Sequence, residues 1–261
     1  MLQMVSDLRE EGEDLHRYLK TLDAADWALE TPFNNWTVNQ VVQHLHGTDV
    51  AAVRSIKDPE GFRQSIHEQG QLTNVSGATQ DRPEGFHLFD EWWSYFYEMC
   101  ELLSKSDPSQ RVPWFGPDMG VKMFATARQM ETWSHAQDIY DLFQFKRTNT
   151  DRIKNVAVIG VKTFGWTFAN RQMDVPQDVP YVKLEAPSGA IWEWNEPSDN
   201  NYVEGTAVDF CHVVTQGRNV DDVHLTVAGE TASLWMSIAQ CFAGGPKDPP
   251  AAGKRTCPGY P

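Results

Sequence analysis

The chain has 261 residues, 41% of them hydrophobic and 11% aromatic with ten tryptophans, which is enough to bury and excludes a disordered chain. Acidic residues outnumber basic ones 36 to 22, a formal charge of −14 with no offsetting Lys/Arg cluster, so a phosphate backbone would be repelled and no nucleic-acid partner is expected. No apolar run approaches bilayer-spanning length, so no membrane partner is expected either.

The first residues, MLQMVSDLREEGEDL, carry acids from position 7 and no apolar h-region, so no secretory signal is expected. Cys100, Cys211, Cys241 and Cys257 show neither a C-x-x-C pair nor metal-finger spacing, which fits reduced thiols and a cytoplasmic location. Residues 3–22 place Leu8, Leu15, Tyr18, Leu19 and Leu22 on one side of a first helix. Thr37 and Gln40 have capping-box spacing, which starts a second helix near Val38 with the stripe Val38, Val41, Val42, Leu45 and Ala52. A polar, Gly-containing stretch over 58–84 reads as a long loop with a short helix at 59–68, the place for a lid or crossover.

The aromatic-rich FHLFDEWWSYFYEMCELLSK is a third helix, and VPWFGPDMG leads into a fourth from Val121 to about Phe145. A fifth, Arg152 to Asn170, carries Val156, Ile159, Val161, Phe164 and Phe168. Amphipathic helices in this order predict an antiparallel four- or five-helix bundle over residues 1–172. MDVPQDVP then reads as a linker, YVKLEAPSGAIWEWN as a hairpin, residues 207–216 as a short helix and VHLTVAG as a strand. ETASLWMSIAQCF reads as a helix stopped by Gly244 and Gly245. The expected class is therefore α+β: the bundle, a small α/β unit over 173–246, and a Pro/Gly-rich tail over 247–261.

On the fourth helix Arg128, Glu131, His135 and Asp138 fall on one line, with apolar Phe124 before them and Leu142 after. Such a line faces inward, where unpaired charge is costly. Glu131 and His135, at i and i+4, can direct an oxygen and a nitrogen at one atom, which makes two corners of a metal site. A third donor must come from a facing helix, and HLHG on the second supplies His44 and His46. Each lies about 100° from the centre of its apolar stripe, on opposite sides, so helical phase does not choose between them. Asp138 can accept the other N–H of His135. The competing structural reading pairs Arg128 with Glu131 or Asp138 in ordinary helix salt bridges.

The stretches NWTVNQVVQHLHGTD, WFGPDMGVKMFATARQMETWSHAQDIYDLF, VKLEAPSGAIWEWN and DFCHVVTQGRNVDD resemble the mycothiol-dependent maleylpyruvate isomerase-like proteins of the wider DinB-like superfamily. The resemblance implies a metal-binding helical bundle followed by a small α/β domain. It implies His44 as the third ligand beside Glu131 and His135, with Zn²⁺ (or another divalent metal) bound, and leaves His46 without a role. It further implies an isomerase or S-transferase that adds a low-molecular-weight thiol, such as mycothiol, to an unsaturated or electrophilic small acid. The alternatives are a zinc hydrolase or lyase that activates water, and a non-catalytic, metal-braced binding protein. Arg128 is the candidate for binding a substrate carboxylate, Asp138 supports His135 in catalysis, and Trp114, Phe115 and Trp133 are candidates to line an apolar pocket. The partners are then a small-molecule substrate and a thiol cosubstrate; nothing in the sequence signals an oligomeric state.

Overall fold

The computed structural model describes residues 2–69 and 83–255 and has the expected α+β class. The part of the long loop between 70 and 82 that was read as a lid or crossover lies outside the described residues, as does Cys257. The chain divides into two compact units, with the break after Phe143.

The first unit holds α1 (Gln3–Leu19), α2 (Val38–Lys57), α3 (Pro59–Gln69) and α4 (Gly85–Lys105). A two-residue ladder, β1 (Arg111–Val112) with β2 (Met119–Gly120), then leads into α5 (Val121–Leu142). The start of α2 follows from its capping box. Gln40 N–H donates to Thr37 Oγ1 at 3.2 Å, and Thr37 N–H donates to Gln40 Oε1 at 2.8 Å. Those two bonds satisfy donors that the first helical turn leaves open.

Both α1 and α2 pack against α4 and α5. The core between them contains Leu8, Leu15, Val41, Leu45, Trp92, Phe96 and Phe124, all fully buried. Gly12 sets how closely α1 approaches α4, because a Cβ there would stand 2.1 Å from ring carbons of Phe96. The middle of α5 is largely buried, from Arg128 and Gln129 through Thr132, Trp133 and His135 to Ile139 and Tyr140, with Ala127, Glu131 and Ser134 half-buried along one face. In its polar line Arg128, His135 and Asp138 are therefore interior and Glu131 stands at the edge.

The second unit holds α6 (Lys154–Lys162), α7 (Phe164–Asn170), β3 (Tyr181–Glu185), β4 (Ile191–Trp194), β5 (Tyr202–Thr206), α8 (Ala207–Val214), β6 (Leu225–Ala228) and α9 (Glu230–Ile238). The sheet order is β4-β3-β5-β6. The predicted hairpin is β3–β4, antiparallel with Val182 opposite Trp194, and β3 also runs parallel to β5. Strand β5 was not expected from the sequence. Its Gly205 interrupts the alternation, and that glycine is needed because a Cβ would meet His224 O at 2.8 Å and Leu225 Cδ2 at 2.7 Å on β6.

The expected fifth helix is two helices, and both lie in the second unit, so the division falls earlier than the boundary read at 172. The break is at Thr163, whose hydroxyl turns back on the carbonyls of Ile159 (2.8 Å) and Gly160 (3.0 Å). Here α6 packs on α8 and α7 on α9, with Phe164 edge-on to Trp235 at 5.2 Å. Helix α9 ends at Ile238, well before the glycines expected to stop it. Ala239 turns extended, and buried Gln240 receives Lys247 N–H at 2.9 Å and exchanges bonds with Thr167. The described part of the tail is tied down by bonds from Gln216 Nε2 to Lys247 O and from Asn219 Nδ2 to Pro250 O, both at 2.8 Å.

Candidate metal centre

The second and fifth helices bring His44, Glu131 and His135 together, with one donor atom from each lying within 4.8 Å of the others. Among the described residues no other group of three His, Cys, Asp or Glu side chains meets that spacing. Glu131 Oε2 stands 3.4 Å from His44 Nε2 and 3.5 Å from His135 Nε2. Charge-assisted hydrogen bonds are shorter, about 2.7–2.9 Å. A tetrahedral ion with bonds of about 2.0–2.1 Å places its ligand atoms about 3.3–3.4 Å apart, which the two Glu131 distances match. The donor set, two imidazole nitrogens and one carboxylate oxygen, fits such an ion with a fourth position left over.

His135 Nδ1 lies 2.9 Å from Asp138 Oδ2, and Asp138 is buried. With the Nδ1–H donated there, the Nε2 lone pair is the one turned toward the donor triangle. His46 is placed elsewhere: its Nε2 faces Glu91 Oε2 on α4 at 3.7 Å. The geometry thus separates two histidines that helical phase left equivalent.

Arg128 pairs with neither Glu131 nor Asp138 in the way the structural reading expected. It is buried, with Nη2 donating to Asp49 Oδ1 (2.9 Å) and Thr48 Oγ1 (2.8 Å), and Nε to Asp49 Oδ1 (3.3 Å). Asp49 escaped the sequence reading although a signal was present, because it sits between Leu45 and Ala52 on the apolar stripe of α2.

Phe33 and Trp36 were also missed. Trp36 N–H bonds to Phe33 O at 2.9 Å across Asn34 (φ +52°) and Asn35 (φ +56°), a reverse turn with both central residues left-handed. The consecutive asparagines were its sequence signal. The turn lays Phe33 edge-on to His135 at 5.2 Å and Trp36 parallel to His135 at 6.2 Å, with Trp36 also 5.6 Å from His44. Of the expected pocket residues, Trp114 and Phe115 join Phe62 in an aromatic cluster in which Trp114 also meets Phe124 edge-on at 5.0 Å, and Trp133 is fully buried.

Burial pushes the His44 imidazole below its usual pKa. Burial also opposes charge on His135, but the Asp138 and Glu131 carboxylates outweigh it and hold that pKa up at about 9. Burial would raise the Glu131 carboxyl, yet the two imidazoles keep it well below the ordinary range. A metal taking this place would have to displace the proton on His135 Nε2, so its binding would be proton-competitive below about pH 9. The expected result is an apparent affinity for a divalent ion that rises roughly tenfold per pH unit from pH 7 toward 9. Chelator-competition titrations across that range check it, and a flat profile would contradict it.

A family model described as the mycothiol maleylpyruvate isomerase N-terminal domain matches residues 8–140. Two uncharacterized proteins of Mycobacterium tuberculosis, from strains CDC 1551 / Oshkosh and H37Rv, are each 34% identical over 248 residues, covering 93% of this chain and 96% of theirs. Among solved structures, the fold is similar to a crystal structure of the mycothiol-dependent maleylpyruvate isomerase and to one of its histidine-to-alanine mutant. Each has a TM-score of 0.55 at 14% identity, covering 94% of this chain and 95% of the other.

Proposed function

This chain belongs to the mycothiol maleylpyruvate isomerase family, and from that premise we propose that it is a zinc-dependent, thiol-using enzyme acting on an unsaturated or electrophilic small acid. The observation that carries this reading is the Glu131 carboxylate standing one tetrahedral edge from both imidazoles. His44, Glu131 and His135 would hold the ion. A bound Zn²⁺ with an open fourth position lowers the pKa of a thiol or water placed there toward neutrality.

The chain's own residues do the rest. Asp138 accepts the Nδ1–H of His135 and so keeps Nε2 available as a ligand. Phe33 and Trp36 cover the imidazoles and limit water at the reacting face. Buried Cys100 and Cys211 have thiols that burial pushes up, to about 12 for Cys100, so neither supplies a thiolate near neutrality. None of the four cysteines lies in the ligand motifs, and the nucleophilic thiol is an external cosubstrate, in this family's case mycothiol. Its sulfur adds to one alkene carbon of a cis-enoyl diacid while the adjacent carbon gains the electron pair. Rotation about the resulting single bond and elimination return the thiol and the trans isomer, and loss of a leaving group instead would make the reaction an S-transfer. We place the protein in the cytoplasm, in keeping with thiols at Cys100 and Cys211 and with the absence of any described helix long and apolar enough to cross a membrane.

The test is turnover of zinc-loaded protein with maleylpyruvate or a related cis-enoyl diacid, with and without mycothiol. Thiol-dependent turnover is expected. Thiol-independent hydrolysis would favour the water-activating alternative, and no turnover with either would leave the metal-braced binding protein.

A further inference from the structure

Beside the donor triangle lies a buried charge pair to which the thiol chemistry gives no role. Asp49 of α2 is fully buried and Arg128 of α5 is 2% exposed. Asp49 Oδ1 accepts Arg128 Nη2 at 2.9 Å and Nε at 3.3 Å, while Oδ2 accepts the Trp92 Nε1–H of α4 at 3.2 Å. Arg128 Nη2 also donates to Thr48 Oγ1 at 2.8 Å, and that hydroxyl is shared between the carbonyls of His44 (2.9 Å) and Leu45 (3.0 Å). The bonds therefore run from α4, through Asp49 and Arg128, to the backbone of His44 itself.

A buried ion pair is a poor source of stability, since apolar residues of similar volume often do as well. It offers direction instead. A guanidinium whose Nη2 and Nε share one carboxylate oxygen, and whose Nη2 also reaches the Thr48 hydroxyl, tolerates little sliding, whereas apolar helix contacts can shift. This pair crosses from α2 to α5 within about one and a half turns of His44 and one turn of Glu131, the two helices that must agree on one ion's position.

We infer that Asp49 and Arg128 are positioning residues, which lock α2 to α5 so that His44 Nε2 and Glu131 Oε2 stand at ion-binding separation before an ion arrives. Arg128 thereby acts on the shell from behind rather than on a substrate carboxylate. The inference rests on the metal reading above.

The experiment measures Zn²⁺ affinity by chelator competition, the visible spectrum of the Co²⁺-loaded protein, and Tm, on wild type, His135→Ala and the paired variant Asp49→Leu/Arg128→Met. The paired variant should melt near wild type yet bind Zn²⁺ about 10–100-fold more weakly, with an altered Co²⁺ absorption band. Wild-type affinity in a folded paired variant would overturn the positioning role. Should that variant not fold, Thr48→Val decides. It removes the hydroxyl through which Arg128 reaches the His44 and Leu45 carbonyls and should weaken Zn²⁺ about tenfold, and an unchanged affinity overturns the inference. If His135→Ala binds Zn²⁺ as wild type does, the metal reading itself is what fails.

Discussion

Replacing His135 with alanine is expected to strip the protein of stoichiometric zinc and, with it, of thiol-dependent turnover. An apparent binding energy of about 10–16 kcal/mol for a four-donor zinc site, shared among its donors, assigns about 3 kcal/mol to one imidazole. That corresponds to more than a hundredfold in Kd. Asp138→Asn should lie between this variant and wild type, about 10–100-fold weaker, because it removes the carboxylate charge that faces Nδ1 at 2.9 Å while an amide oxygen can still accept the N–H. Metal analysis after dialysis and chelator competition read both effects. Zinc retained at one equivalent by His135→Ala would remove this residue from the shell. Zinc and turnover both lost with Tm little changed would make the ion catalytic, whereas loss of zinc with a lowered Tm and turnover retained below that Tm would make it a brace.

The second large effect is expected at Arg128. Arg128→Met leaves the Asp49 carboxylate fully buried with Trp92 as its remaining hydrogen-bond donor, and should cost about 3–5 kcal/mol of unfolding free energy at neutral pH. The cost should depend on pH with a definite sign. Burial raises the Asp49 pKa to about 6 even with Arg128 opposing it. Between the unfolded value near 4 and that value the folded chain holds a proton that the unfolded chain has released. This group's contribution to stability is therefore fully present below about pH 4 and declines as pH rises through 6. Without the guanidinium the folded pKa climbs further, so the variant should lose least at pH 5 and most above pH 7. Urea unfolding of both proteins at pH 5 and 7.5 measures this, and equal losses at the two values would show that Asp49 is not the group left stranded. The paired Asp49→Leu/Arg128→Met variant should recover most of the stability.

These two sites show how much of the molecule could be read without coordinates. Glu131 and His135 lie on one helix at i and i+4, so their meeting is a local consequence of 3.6 residues per turn. The start of α2 at Thr37 is local in the same sense, since both capping bonds close within three residues. The choice of His44 over His46 is not local. Each lies to one side of the apolar stripe, and only the packing of α2 against α4 and α5 turns the first toward Glu131 and the second toward Glu91. The resemblance to a known family supplied that choice in advance of the geometry. The partner of Arg128 was hidden for the same reason. Intrahelical spacing suggested Glu131 or Asp138, but Asp49 reaches it from 79 residues away.

What the sequence by itself determined are the properties that periodicity and short-range bonding control: the α+β class, the four bundle helices, the β3–β4 hairpin and the i,i+4 meeting of Glu131 and His135. The tertiary structure alone decided the break at Thr163, the assignment of α6 and α7 to the second unit, the insertion of β5 and the closing of the donor triangle. Each of those depends on which distant surface a segment buries. A helix stripe fixes which side must be covered but does not name what covers it. Burial is non-directional, and the partner is chosen only when the whole chain packs.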